Sequence, residues 1–157
     1  MNNQLKKIVC PVDFSECSEL ALAQAVEIAA QNGAELLLIT VAQPVTSAMI
    51  GDGTLFTELQ PLQAAPEVEL QVHLAKLRDK YCAAMLERTS LQVTMGVPFV
   101  EIVRCAREAE ADLIVMGSHG RTGIEHLLIG SVAERVVRKA PCSVLVVRDL
   151  KRHFVMP

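Results

Sequence analysis

The sequence predicts an α/β fold: three layers, α/β/α, around a five-stranded, mostly parallel sheet. Three observations carry this. Short aliphatic runs alternate with longer amphipathic segments, and such alternation gives right-handed crossovers with helices on both faces of a parallel sheet. The runs ELLLITV (35–41) and DLIVM (112–116) are apolar without a polar alternation, as strands buried on both faces are. Finally, 51% of residues are hydrophobic but only 3% are aromatic, a balance suited to close-packed aliphatic layers.

The elements follow in order. Lys7–Val12 is a compact apolar strand, ended by Pro11-Val12-Asp13-Phe14-Ser15. Ser15 is placed to cap a helix, with Glu16 and Glu19 at the positive end of its dipole. Leu22, Val26 and Ala29 recur at helical spacing, Gln24, Glu27 and Gln31 form the wet side, and Asn32-Gly33 stops the helix. Glu35–Val41 is the second strand. Residues 42–66 lose periodicity and collect Pro44, Gly51, Gly53, Pro61 and Pro66, a long loop of the kind that usually serves function or is disordered. A helix is predicted over 67–88 with Leu70, Leu74, Leu77, Tyr81 and Met85 on one face. Leu91, Val93 and Met95 alternate as a strand, and Gly96-Val97-Pro98 leads into a helix over 99–110. Asp112–Met116 is a buried strand, Gly117–Gly130 a loop, Ser131–Lys139 a helix and Ser143–Val147 the last strand. No internal repeat, low-complexity tract or linker interrupts the 157 residues, so one domain over 1–157 is expected.

Charge and composition remove several function classes. A formal charge of −3 and a pI near 5.8 argue against a phosphate-backbone binder, which carries a basic face. No apolar run approaches the ~20 residues that span a bilayer, and the N-terminus lacks a signal-peptide pattern. The expectation is therefore a cytoplasmic protein with no nucleic-acid or membrane partner. Its five cysteines, Cys10, Cys17, Cys82, Cys105 and Cys142, are expected as reduced thiols and small apolar packing groups, since no CxxC or His spacing suggests a metal.

In an open α/β sheet a ligand lies beyond the carboxyl ends of the strands, where strand order reverses. Asp13, Val41 and Gly117 fall at such ends. The richest stretch is MGSHGRTGIEHLLIGSVAERVV, Met116 to Val137. Gly117, Gly120 and Gly123 would allow positive φ and close approach of a ligand to the backbone. Gly130-Ser131 opens a helix whose first N–H groups and positive dipole end suit a phosphate. Two turns and a helix cap would use the same glycines, so composition alone leaves both readings open. There is no GxxxxGK[ST] loop and no GxGxxG after the first strand, which argues against a P-loop NTPase and a dinucleotide-binding dehydrogenase.

The spacing Gly117-x2-Gly120-x9-Gly130-Ser131 resembles the ATP-binding signature of the universal stress protein family, G-x2-G-x9-G-[S/T]. The likeness runs through KIVCPVDFSE, GVPFVEIVRCAREAEADLIVMGSHGRTG and APCSVLVVR, nearly the whole chain. It implies a Rossmann-like domain that binds ATP or AMP. By the same resemblance, Asp13, in the segment Pro11-Val12-Asp13, matches the acidic residue at the nucleoside end. Val41 matches the residue whose backbone meets the adenine edge. Met116 and Gly117 would lie along the ribose, and Gly120, Gly130, Ser131 and Val132 would hold phosphates through main-chain N–H groups. Mg²⁺ would accompany ATP. Within the loop, His119 and His126 read most simply as solvated histidines; the functional reading is that His119 or Arg121 touches the phosphates, with His119 then making affinity depend on pH. The strand Ser143–Val147 resembles the one through which the family commonly forms homodimers; the alternative is that the tail, residues 149–157, covers that edge.

The function implied is an adenine-nucleotide-binding regulatory protein of the general stress response. No Walker B carboxylate or positioned base points to an enzyme, and PVDFSECS fits neither HxGH nor SGGxDS, so a nucleotidyl transferase or ATP pyrophosphatase is disfavoured. A slow ATPase and a nucleotide-free dimeric interaction module remain the alternatives.

Overall fold

The computed structural model describes residues 5–43, 67–120 and 129–148. Its elements are β1 (Lys7–Pro11), α1 (Glu16–Asn32), β2 (Glu35–Ala42), α2 (Glu67–Tyr81), β3 (Thr89–Met95), α3 (Pro98–Glu108), β4 (Leu113–Gly117), α4 (Ser131–Lys139) and β5 (Ser143–Val147). The strands form one sheet in the order β3-β2-β1-β4-β5. All four pairings are parallel, with Lys7 opposite Glu35, Leu36 opposite Thr89, Ile8 opposite Leu113 and Leu113 opposite Ser143. The fold is the expected Rossmann-like one.

Strand periodicity sorts the side chains into two aliphatic layers. Ile8, Cys10, Leu36, Leu38, Leu113 and Val115 pack with Leu22, Ala25 and Ala29 of α1 and Leu74 and Leu77 of α2. Val9, Ile39, Val41, Ile114 and Met116 face the other way, onto Ile102, Cys105 and Ala106 of α3 and Ala133 and Val136 of α4. Burying a Val, Leu or Ile side chain contributes about 1.5–3 kcal/mol, so these layers supply most of the driving force for the sheet.

Local chemistry sets the ends of α1. Ser15 caps it in extended conformation (φ −82°, ψ 157°), accepting the Ser18 N–H, and Gly33 ends it at φ 67°. Only a residue without a Cβ adopts that left-handed conformation at little cost. The helix expected over 67–88 is two elements. Helix α2 stops at Tyr81, and Ala83–Arg88 form a 3-10 turn in which Met85 leaves helical geometry (φ −140°). The apolar spacing continues through Met85, which is buried, so periodicity alone does not reveal the break. It occurs where the chain turns into β3: Cys82 donates back to Arg78 O, and Thr89 Oγ donates to Met85 O at 2.9 Å.

Most of the long loop expected over 42–66, and the tail 149–157, lie outside the described residues. No described helix is long and apolar enough to cross a membrane.

Candidate functional site

Strand order reverses between β1 and β4. β1 leads to α1 on one face, and β4 leads toward α4 on the other. The two segments leaving these neighbouring strands must part, and the crevice between them is where a ligand enters such sheets.

Asp13 stands on the β1 side. Its Oδ1 accepts the Ser15 N–H at 3.1 Å and the Ser15 Oγ–H at 2.5 Å, so the residue that caps α1 also fixes the carboxylate. The intervening Phe14 has φ 64°, a left-handed conformation uncommon for a bulky residue. Its ring meets His73 of α2 edge-on, with centroids 5.8 Å apart. Val12, its neighbour, is buried, and its N–H donates to Ile39 O at 2.8 Å.

The glycines of the β4 side are required by the protein's own packing. A Cβ on Gly117 would stand 3.0 Å from Cys17 Sγ and 3.1 Å from the Cys17 backbone. One on Gly120 would stand 2.7 Å from Asp13 Oδ2, and one on Gly130 would stand 3.1 Å from Ser118 O. Positive φ, expected of this stretch, occurs among the described glycines only at Gly33 and Gly96. Gly123 lies outside the described residues. Close approach is therefore the reason for glycine at 117, 120 and 130, and the approaching groups include Cys17, Asp13 and Ser118.

Ser118, which sequence reasoning passed over, ties the segment together. It is 2% exposed. Its N–H donates to Val147 O at 2.8 Å, its carbonyl accepts the Gly130 N–H at 2.6 Å, and its Oγ lies 3.0 Å from His119 Nδ1. The end of β5, the start of α4 and the His119 ring are thus held by one residue. Cys17, at the second position of α1, closes the arrangement with Sγ 3.5 Å from Val147 O and 3.7 Å from Ser118 Oγ. No local sequence signal could have found this pair, because its members are 101 residues apart.

Helix α4 offers its amino end here. Gly130 is the N-cap, with no side-chain cap bond, and Glu134 N–H to Gly130 O is the first bond of the ladder. The Gly130 N–H is already bonded to Ser118, so the amides ahead of the ladder are those of Ser131, Val132 and Ala133. Ser131 is exposed and Val132 half-buried.

Val41 and Met116 contribute differently. Both side chains are buried in the layer under α3 and α4, which leaves their backbones at the strand ends. Beside Val41, Thr40 Oγ1 is buried and has no hydrogen-bond partner among the described residues. The structure thus brings Pro11, Val12, Asp13, Gly117, His119 and Gly120 to one crevice edge, with Gly130, Ser131 and Val132 joined through Ser118. Arg121 and His126 lie outside the described residues. Among the described residues no group of three or more His, Cys, Asp or Glu is placed to hold a metal ion.

The universal stress protein family matches residues 4–148. This chain belongs to the universal stress protein family. Universal stress protein MJ0531 of Methanocaldococcus jannaschii is 39% identical over 96% of this chain and 86% of its own length. MJ0577 of the same organism is 31% identical over 94% and 98%. The solved structure of MJ0577 superposes with a TM-score of 0.70 at 26% identity, covering 93% of this chain and 97% of that one. A universal stress protein crystallised in complex with cAMP superposes with a TM-score of 0.67, also at 26% identity, covering 92% and 97%.

The remaining thiols of this universal stress protein fit their expected packing role. All five cysteines are unpaired, and Cys10, Cys82 and Cys105 are buried. Burial, reinforced by the neighbouring Cys82, pushes the Cys10 thiol well above its ordinary range.

Proposed function

We propose that this universal stress protein binds an adenine nucleotide, ATP or AMP, in the crevice between the β1 and β4 ends and acts as a regulatory protein of the general stress response. The observation that carries the reading is the convergence of two chemically distinct ends. Asp13 supplies a fixed carboxylate against Gly120, suited to accept hydrogen bonds from ribose hydroxyls or the adenine amino group. Across the crevice, the amides of Ser131 and Val132 at the positive end of α4 suit a phosphate. The related structure in complex with cAMP supports the same ligand class.

In this reading Pro11, Val12 and Asp13 line the nucleoside end. The Val41 backbone meets the adenine edge, and Met116 and Gly117 run along the ribose. His119, Gly120, Arg121 and the Gly130-Ser131-Val132 segment surround the phosphates, with Gly130 shaping the turn. Mg²⁺ would ride on the ATP phosphates rather than on protein carboxylates. The protein is a binding module rather than an enzyme, works in the cytoplasm as one domain, and pairs with a second copy through β5. Leu145 is 37% exposed on that edge strand, an apolar liability that strand pairing would remove.

Isothermal titration of nucleotide-stripped protein with ATP, ADP and AMP, with and without Mg²⁺, tests the reading. Saturable binding is expected, and such binding also raises the unfolding midpoint by mass action. Absence of binding by all three nucleotides would overturn it.

A further inference from the structure

The cations of α3 and α4 obey two ordinary rules, with one exception. Arg104 is tied by Glu101 and Glu108, and Arg138 by Glu134. Arg107 stands in the last turn of α3 and Lys139 in the last turn of α4, where the negative end of a helix dipole favours a cation. Arg135 follows neither rule. Among the described residues no carboxylate pairs with it. Its guanidinium carbon lies instead over the ring of Phe99, 5.2 Å from the centroid. Phe99 belongs to the first turn of α3, and both it and Val132 pack on the layer under the two helices. Helical side chains lean toward the amino end, and residues i and i+4 share a face. Arg135 therefore leans over the turn that carries Ser131, and Phe99 holds its charge beside the amino end of α3.

That placement suits an anion with more than one charged group. The ring contact uses none of the guanidinium N–H donors, so the fork remains available for the bidentate contact that arginine makes with phosphate. It also orders a side chain that would otherwise lose rotamer freedom on binding. We propose that Arg135, held over Phe99, reads the length of the phosphate chain: its guanidinium takes an outer phosphate while the Ser131 and Val132 amides hold the inner one. The site then prefers a nucleoside di- or triphosphate to a monophosphate. This inference rests on the nucleotide reading above and adds to it which member of the class is favoured. Phe99 is a positioning residue in this arrangement, acting only through Arg135.

Isothermal titration of nucleotide-stripped wild type and Arg135→Gln with ATP, AMP and adenosine tests it, with Mg²⁺ omitted so that no metal shares the phosphate charge. Arg135 is exposed and glutamine is a comparably good helix former, so the variant should fold. Wild type should bind ATP more tightly than AMP. Arg135→Gln should weaken ATP about tenfold or more, as loss of a charge-assisted bond does, and leave AMP and adenosine unchanged. Arg135→Lys keeps the charge without the fork and should recover only part of the ATP affinity. Phe99→Leu keeps an apolar side chain and should weaken ATP but not AMP, with no further loss in the Arg135→Gln background. Equal weakening of all three ligands in Arg135→Gln would mean that Arg135 and Phe99 merely clip α3 to α4, and would defeat the proposal. Unchanged ATP affinity in that variant, or a wild type that prefers AMP, would defeat it too; each of these results leaves the nucleotide reading standing. A wild type that binds none of the three would sink both.

Discussion

Gly120→Ala tests whether the two sides of the crevice are in contact, without reference to any ligand. Its Cβ would stand 2.7 Å from Asp13 Oδ2, whereas non-bonded contacts are comfortable at roughly 3.5–4 Å. The carboxylate would have to retreat by about 0.5–1 Å, against the two Ser15 bonds that hold Oδ1. Hydrogen bonds to a charged group contribute about 1.5–3 kcal/mol each, and distorting this half-buried pair should cost about 1–2 kcal/mol in total. Reduced freedom of the unfolded chain returns about 0.4–1 kcal/mol for Gly→Ala at a compatible φ. The net loss expected is about 1 kcal/mol, or roughly 2–4 °C in Tm for a chain of this length. In an Asp13→Ala background the obstructing oxygen is gone, so the same substitution should be neutral or stabilising. Urea unfolding of the wild type, both single variants and the double variant should give a coupling of about 1–2 kcal/mol. Equal costs of Gly120→Ala in both backgrounds would refute the contact as the reason for the glycine.

The other expectations come from the same packing. Gly117→Ala should destabilise by about 1–3 kcal/mol by chemical denaturation, because its Cβ would meet Cys17 backbone atoms at 3.1 Å and α1 cannot rotate them away; a loss below 0.5 kcal/mol on that scale would count against it. Thr40→Val keeps the shape of a buried side chain and removes a hydroxyl that has no partner among the described residues, so stability should rise by about 1 kcal/mol in a urea titration; a fall would show that the hydroxyl is bonded in solution. Acid should weaken the fold through three carboxylates held below their ordinary range. Glu19 is bonded by Lys80 and Tyr81, Glu101 by Arg104 and Thr94, and Asp112 by the Lys6 and Lys7 amides. Depressed carboxylates contribute stability above their unfolded values near pH 4 and lose it as pH falls through the folded ones. Urea midpoints should therefore drop below about pH 4, and less steeply in Asp112→Asn.

The sheet was legible because burial on both faces leaves a direct mark. ELLLITV and LIVM read as interior strands by their length and unbroken aliphatic character, and Ser15 and Gly33 mark the ends of α1 by their own chemistry. The break at Cys82 was not legible, since the apolar spacing from Leu70 to Met85 serves a helix followed by a 3-10 turn as well as one long helix. In the site, the positions of the glycines were readable but their reasons were not. Glycine reports that something approaches closely without saying what, and Cys17 against Gly117, or Asp13 against Gly120, are contacts between segments about a hundred residues apart. Ser118 escaped for the same cause: its carbonyl bonds the start of α4, its amide the end of β5, and its hydroxyl lies against Cys17 of α1 as well as the adjacent His119, and the three distant contacts leave no local pattern.

Topology explains why these long-range contacts gather here. With the order β3-β2-β1-β4-β5, β1 and β4 are adjacent strands whose following segments depart to opposite faces, so nothing in the ladder closes the gap beyond their last paired residues. The gap is held at a fixed width instead by side chain against glycine backbone, Cys17 on Gly117 and Asp13 on Gly120. Any bulk added at either glycine moves the two walls apart. The contact with Asp13 also moves the carboxylate proposed to read the nucleoside, so Gly120 couples the width of the crevice to its recognition chemistry. Gly117 has no such link, because it bears on the α1 backbone. Substitution at Gly117 should therefore act mainly on stability, whereas substitution at Gly120 should act mainly on ligand affinity.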